Sequence, residues 1–266
     1  MGKEETFSAM EFNHDEKLPA SSNLSFELQA LAKAYKYQRW VYEMIEPFLG
    51  SRILEIGAGI GNMSKWLPIR ERLILTEYDF EFLKILKNSF TYDRIDTDFS
   101  KIRLEQYDVL NDSPERFCEE NVDTIVSFNV LEHVEDDEKS ILSLLTVLQC
   151  SQAPGAKRLI SFVPAHPWAY GGMDSKFGHY RRYKKHDITK LVKKLVPEAR
   201  FWSRHFNFMG LWGWVFNGRI LRRDAIGLGA IETFEFLNPL ARSLDLIAHR
   251  ILHLPLGQSL LFVVEL

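Results

Sequence analysis

From Arg52 to Pro164 the chain alternates short β-forming runs with stretches of helical character, and this alternation restricts its fold more than any other feature. "RILEIG" is followed by "NMSKWL", "RLILTEY" by "EFLKILKNS", "KIRLEQYDV" by "SPERFCEE", and "VDTIVSFNV" by "DDEKSILSLLTVLQC". A fifth run, "KRLISFVP", follows the Pro154-Gly155 turn. Strands separated by helices build βαβ units, so the pattern predicts an α/β protein around a mostly parallel, buried sheet. With 266 residues, 46% of them hydrophobic, the chain has enough apolar side chain for one elaborated domain of this kind.

The flanks read differently. Leu28, Leu31, Tyr35, Val41, Tyr42 and Ile45 recur near helical spacing, which predicts a helix or helix pair from Leu24 to Phe48, ended by Pro47 and Gly50. After the fifth strand, "HPWAYGGMDSKFGHYRRYKK" reads as a long aromatic and basic loop, and Asp187 as the cap of a helix over 188–196. "ARFWSRHFNF" and "QSLLFVVEL" read as a sixth and a seventh strand. The aromatic-rich, helical stretch 209–257 between them is expected to be an insertion, a cap or an interface, within a main domain of 24–208 and 258–266. Residues 1–23 read as a flexible polar tail without the apolar core of a secretory signal, and the acylation-like pattern of Gly2 and Thr6 is short enough to arise by chance.

No run approaches the roughly eighteen apolar residues of a membrane span. "FMGLWGWVF" is suited to touching a lipid surface, not crossing it. A net charge of −3 leaves no whole-chain footprint for nucleic acid. The two cysteines, Cys118 and Cys150, stand far apart and outside any C-x-x-C, which argues against a disulfide framework and for a reducing, cytoplasmic compartment.

In an open α/β sheet, ligands sit beyond the carboxyl ends of the strands, where strand order reverses. Gly57, Gly59 and Gly61 follow the first strand as G-x-G-x-G, and Asn62 stands where a nicotinamide fingerprint has its third glycine. Glu77 ends the second strand and can accept from both hydroxyls of a ribose, with Tyr78 and Phe80 placed to flank an adenine. Asp108 ends the third strand and can accept from an adenine amino group beside the Val109 N–H.

With "VDTIVSFNVLEHV" as a fourth segment, the set resembles the class I S-adenosylmethionine-dependent methyltransferases: "LEIGAGIGN", "LTEYD" and "YDVL" are similar to their first three motifs. The resemblance implies a Rossmann-like, seven-stranded, mostly parallel sheet with helices on both faces and an antiparallel last strand, an N-terminal helical extension, and a helical insertion before the last strand. It also implies S-adenosylmethionine as cofactor. Glu55, Gly57, Ala58, Gly59 and Asn62 would surround its methionine part, Glu77 its ribose, Asp108 and Val109 its adenine, and Asn129 and Val130 its sulfonium. One departure is Glu77, a glutamate where the family's second motif usually has aspartate.

A methyl carried on sulfonium needs mainly an aligned nucleophile, and a hydroxyl nucleophile gains from a base, so O-methylation is favoured with His133, His166 and His179 as candidate bases. The similar ubiquinone-pathway O-methyltransferases bind metal through E-x-x-E-H. Here Asn129 replaces the first glutamate and leaves Glu132 and His133, so no metal is expected. Arg181 and Arg182, with Trp168 and Tyr180, are candidates for contacting a substrate, the arginines through an anionic group, although a solvated helix approach explains them equally well. No [DNS]-P-P-[YF] follows the fourth strand and neither cysteine follows a proline, so a nucleic-acid substrate is not expected. The expected acceptor is a small hydrophobic or anionic molecule. A nicotinamide-dependent oxidoreductase and a non-catalytic cofactor- or partner-binding module stand as rival readings.

Overall fold

The computed structural model describes Leu28 and residues 31–92, 98–220 and 228–266. The expected tail over 1–23, the Gly2 and Thr6 pattern and the start of the leading helix at Leu24 lie outside the described residues. Seven strands form one sheet: β1 (Arg52–Ile56), β2 (Arg72–Glu77), β3 (Ile102–Gln106), β4 (Thr124–Phe128), β5 (Arg158–Pro164), β6 (Arg200–Phe206) and β7 (Ser259–Glu265). Their order is β3-β2-β1-β4-β5-β7-β6. The first five are parallel, with Ile53 of β1 in register with Leu73 of β2 and Thr124 of β4. β7 runs antiparallel between β5 and β6, as the resemblance implies.

Because both faces are covered, the central strands are apolar on both sides rather than alternating with polar residues. Leu54, Ile125, Leu159 and Phe262 point to one face, where Ile141, Leu144 and Leu148 of α3 (Asp137–Cys150) and Ile188 and Val192 of α5 (Lys185–Leu195) meet them. Ile53, Val126, Ile160 and Val263 point to the other. There α1 (Tyr35–Ile45) contributes Trp40, Val41 and Ile45, α2 (Phe80–Tyr92) Leu83 and Leu86, and α7 (Leu228–Leu246) Ala241. The short α4 (Gly172–Lys176) and α6 (Phe208–Val215) are two further α-helices.

Three local expectations change. "NMSKWL" and "SPERFCEE" form only 3-10 turns, over Ser64–Trp66 and Pro114–Glu120. Asp187 does not cap its helix: its own N–H already bonds the Lys184 carbonyl at 3.1 Å, so it sits in the first turn of α5, where an acid favours the helix dipole. Cys118 and Cys150 are joined in a disulfide, against the expectation from their spacing. The turn bearing Cys118 packs on the last turn of α3, which brings the two Cα atoms within 5.4 Å across 32 residues, and the cysteine-based argument for a reducing compartment falls with this contact. No helix among the described residues is long and apolar enough to cross a membrane.

Between β6 and β7 the chain leaves through α6 and a π-helical turn at Phe216–Ile220, and returns through α7 and a second π-turn at Ile247–Ile251. Asn207, at φ 62°, opens α6 by accepting the Gly210 N–H at 2.9 Å, while its amide donates to the Gln258 side chain at 2.8 Å. The Gln258 N–H donates to the Asn207 carbonyl at 3.1 Å, so exit and return lie side by side. The far part of the excursion docks on α1. Ala34 has no side chain to cap α1, and the Glu235 carboxylate of α7 accepts the Lys36 and Tyr37 N–H groups at 2.7 and 3.0 Å in its place. Arg242 bonds Glu43 and lies over the Trp40 ring at 5.8 Å.

At the amino ends of the parallel strands, the Asp123 carboxylate accepts the Ser51 and Arg52 N–H groups at 2.7 and 3.0 Å and ties the start of β1 to that of β4. Asp123→Ala leaves both donors without their acceptor and is expected to cost about 1–3 kcal/mol, read as a lower urea midpoint at unchanged m value.

Candidate active site

The winding of the sheet reverses between β1 and β4, so the loops after these strands diverge and leave a crevice at their carboxyl ends. The loop after β1 turns through Gly57 at φ 68° and Gly59 at φ 58°, which L side chains rarely adopt. A Cβ at Gly57 would lie 2.5 Å from Val130 Cγ2, so the turn presses directly on the loop after β4. The Ala58 N–H pins the turn to the Thr76 carbonyl of β2 at 2.8 Å.

Glu77 is buried at the end of β2 and accepts the Gly59 N–H at 2.7 Å and the Asp79 N–H at 2.9 Å. Burial raises its pKa, while the backbone donors of Asp79, Gly59 and Tyr78 oppose the rise. Glu55 is fully enclosed, and its Oε2 has no hydrogen-bond partner among the described residues. Burial pushes its pKa up to about 8, with the Ser64 hydroxyl opposing and the Glu77 charge adding. Asp108 accepts from the Leu110 N–H at 2.9 Å and the Asn111 amide at 2.7 Å, and Val109 beside it is buried in the core. Tyr78 and Phe80 are largely exposed. Asn129 is held at φ 52° with its N–H on the Phe162 carbonyl at 2.8 Å. A glycine turn too tight for side chains, an orphaned carboxylate oxygen and acids at successive strand ends fit an adenosine cofactor with a positively charged, amino-acid-like arm.

A cavity of about 770 Å³ opens from Asn129 under α6 and α7. A narrower pocket of about 30 Å³ between Asn62 and Asn129 shares Leu31 and Tyr37 with it, so the glycine-turn side and the cavity meet at Asn129. Most of the wall is apolar, with Met173, Phe177, Trp214, Phe216, Phe234 and Leu237 among its lining residues. Glu132, His179 and Arg182 bring polar groups to it.

His179 and Arg182 converge on Asp174 of α4, a residue that sequence reasoning missed. Its buried carboxylate accepts from His179 Nδ1 at 3.1 Å, Arg182 Nε at 2.7 Å, the Gly171 N–H at 2.9 Å and the Trp214 indole at 3.3 Å. Burial works against its charge, but His179, Arg182 and the Gly171 N–H outweigh it and hold the carboxyl below its ordinary range. An ionised carboxylate only accepts, so His179 Nδ1 carries a proton, and in the neutral ring the lone pair falls to Nε2, which is buried and without a hydrogen-bond partner among the described residues. The one available signal was the Asp174-to-His179 spacing inside a loop with no periodicity.

The structure separates the other candidates. His133 meets His179 edge to face with ring centroids 4.7 Å apart. Its ring is pushed down to about 4 by burial, then by His179, even though the residue as a whole reaches solvent. Donor atoms of Glu132, His133 and His179 lie within 4.8 Å of one another, so His179 adds a third potential cation ligand to the two legible in sequence. His166 lies away from this group, stacked on His205 at 4.9 Å and accepting the Gly257 N–H at 3.3 Å. The expected arginine pair divides: Arg181 turns out to Asp137 at 2.9 Å, and Arg182 turns in and is neutralised by Asp174. Trp168 and Tyr180 are exposed and outside the cavity lining.

A doubly wound sheet with this turn and these strand-end acids defines the class I methyltransferases. The methyltransferase-domain profile matches residues 30–209, and the chain belongs to that family, with S-adenosylmethionine as its cofactor. No curated protein matches the chain. Among solved structures it is similar to an S-adenosylmethionine-dependent methyltransferase from Mesorhizobium loti, at 12% identity over 86% of this chain and 98% of that one, with TM-score 0.53. It is also similar to one from Archaeoglobus fulgidus, at 13% identity over 91% and 100%, with TM-score 0.50. A third similar structure is phosphoethanolamine N-methyltransferase 2 from Haemonchus contortus, solved with phosphomonomethylethanolamine and S-adenosylhomocysteine, at 12% identity over 92% and 59%, with TM-score 0.53. At these identities the likeness shows the fold.

Two expectations follow. Glu77→Ala weakens S-adenosylmethionine binding by about 10-fold or more in calorimetry, the scale of a charge-assisted hydrogen-bond pair. For Glu55, a folded value of about 8 against 4.5 means that the folded, cofactor-free chain holds a proton the unfolded chain has lost between these values. Stability then falls as pH rises through that window, and Glu55→Gln removes this part of the slope in thermal melts.

Proposed function

We propose that the chain methylates a hydroxyl oxygen of a hydrophobic small molecule held in the cavity beneath α6 and α7. The observation that supports it best is His179: an imidazole fixed through Nδ1 by Asp174, with Nε2 left as an acceptor in the neutral ring, on the wall of a mostly apolar cavity that reaches Asn129. When bound, S-adenosylmethionine supplies a methyl group on a cationic sulfur, a leaving group that needs no acid. The remaining demand is to position the acceptor and remove its proton. Phe177, Trp214 and Phe234 offer the acceptor's body an apolar surface. His179 Nε2 takes the hydroxyl proton, and Asp174 holds the ring and balances the charge that forms. Internal neutralisation of Arg182 by Asp174 favours an uncharged over an anionic reacting group.

One observation favours a second reading of the same corner. The donors of Glu132, His133 and His179 are close enough to share a divalent cation, which would lower the acidity barrier of the hydroxyl instead of a base. Dialysis against a chelator separates the two: activity that is lost and restored by added magnesium or manganese supports the cation, and unchanged activity supports the base.

Transfer of radiolabelled methyl from S-adenosylmethionine into a fractionated cell extract is expected to label an apolar small-molecule fraction. Against that acceptor, His179→Gln is expected to lower kcat about 10²- to 10⁴-fold at unchanged cofactor affinity, and Asp174→Asn to lower it less. A full rate in His179→Gln, or label confined to protein or nucleic acid, overturns the reading.

A further inference from the structure

The outer face of α7 is apolar. Phe236, Leu240, Ile247 and Ile251 follow one another at steps of four, seven and four residues, which places them on one side of the helix and its π-turn. They are 79%, 52%, 42% and 66% exposed. This does not arise from a rotation of the helix, because the opposite side is filled by Asn238, Ala241, Asp245 and Ala248, all buried. A single exposed leucine needs no explanation, but a ridge in helical register does.

Within the ridge itself the exposed charge is basic. From Phe236 to Leu256 the only acid is Asp245, which is buried and paired with Arg204 at 3.3 Å and the Phe208 N–H at 3.0 Å. Glu232, one turn earlier, is the nearest exposed acid on this face. Arg250 stands in register between Ile247 and Ile251 and is exposed, with His253 shortly after it. The ridge also shares its helix with the cavity: Phe234 and Leu237 line the cavity from α7, and half-exposed Trp212 and Phe216 line it from α6 and the π-turn that follows.

We propose that this face lies on the surface of a lipid bilayer bearing anionic headgroups, with α7 in the interfacial plane, its apolar ridge among the acyl chains and Arg250 at headgroup level. Docking itself stands on the helix face. That an apolar acceptor enters the cavity from the bilayer rests on the reading of the cavity given above.

Vesicle sedimentation tests the docking without acceptor or turnover. The full-length protein is expected to pellet with vesicles of phosphatidylcholine and phosphatidylglycerol, and more weakly with phosphatidylcholine alone. The triple variant Leu240→Ser, Ile247→Ser, Ile251→Ser, whose positions lie outside the cavity lining, is expected to lose about tenfold or more in vesicle affinity. Arg250→Glu is expected to lose the preference for the anionic vesicles. Unchanged S-adenosylmethionine affinity in both variants shows that the fold is intact. No pelleting of the wild type, or equal pelleting of the triple variant, overturns the proposal. So does a concentration-dependent dimer in sedimentation velocity that the triple variant abolishes in the absence of vesicle binding, which would assign the ridge to a second copy of the chain. If the protein binds vesicles but methylates nothing in the lipid phase, the docking stands and the acceptor reading fails.

Discussion

Parallel strands deliver all their carboxyl ends to one edge of a sheet, and a helix crossing back from each strand covers one face or the other. Where the chain winds outward in both directions from a central pair, the loops after those two strands must part. In this protein the parting lies between β1 and β4. The glycine turn after β1 and the Asn129–Val134 segment after β4 face each other across it, and they touch where Gly57 packs on Val130. Glu55, Glu77 and Asn129 stand at this edge, whereas acids elsewhere in the chain serve as ordinary caps and ion pairs, as Asp136 and Glu120 do.

The crevice forms one wall of the cavity, and the excursion between β6 and β7 supplies another. Its two ends are bound to each other at Asn207 and Gln258, so the sheet is undisturbed by its length. Its body is held by α1 through Glu235 and Arg242. Each contact satisfies a need on both sides: α1 gains the cap that Ala34 lacks, and α7 gains a fixed position over the cavity. The polar corner on Asp174 closes the other end by gathering His179 and Arg182 of one loop and Trp214 of α6 around one carboxylate. A buried carboxylate with four donors is rigid, because each lost bond leaves a charged group without compensation.

The strands, the glycine turn and the strand-end acids were legible in the sequence because each depends on neighbouring residues. Runs such as "RILEI" and "LLFVV" are apolar on both sides only if both faces are covered, and G-x-G-x-G admits few backbone paths. The misreadings concern geometry that no periodic pattern records. Cys118 and Cys150 looked isolated because only the packing of a 3-10 turn on α3 brings them together. Arg181 and Arg182 looked like one charged patch, yet one faces solvent and the other is buried against Asp174. Asp187 carried a capping signal, but the preceding backbone had already entered the helix.

The sequence by itself determined the mostly parallel sheet and the tight glycine turn, since hydrophobic periodicity and glycine conformation act within a few residues and leave little choice of chain path. Its motifs pointed to the cofactor through their resemblance to the methyltransferases. The tertiary structure alone decided which histidine has a fixed tautomer, which arginine is neutralised, that a large apolar cavity lies under α6 and α7, and that the outer face of α7 is left apolar. Those properties are set by desolvation and by hydrogen bonds within irregular loops or between separate elements, and such forces depend on where side chains meet in space, which no periodic pattern records.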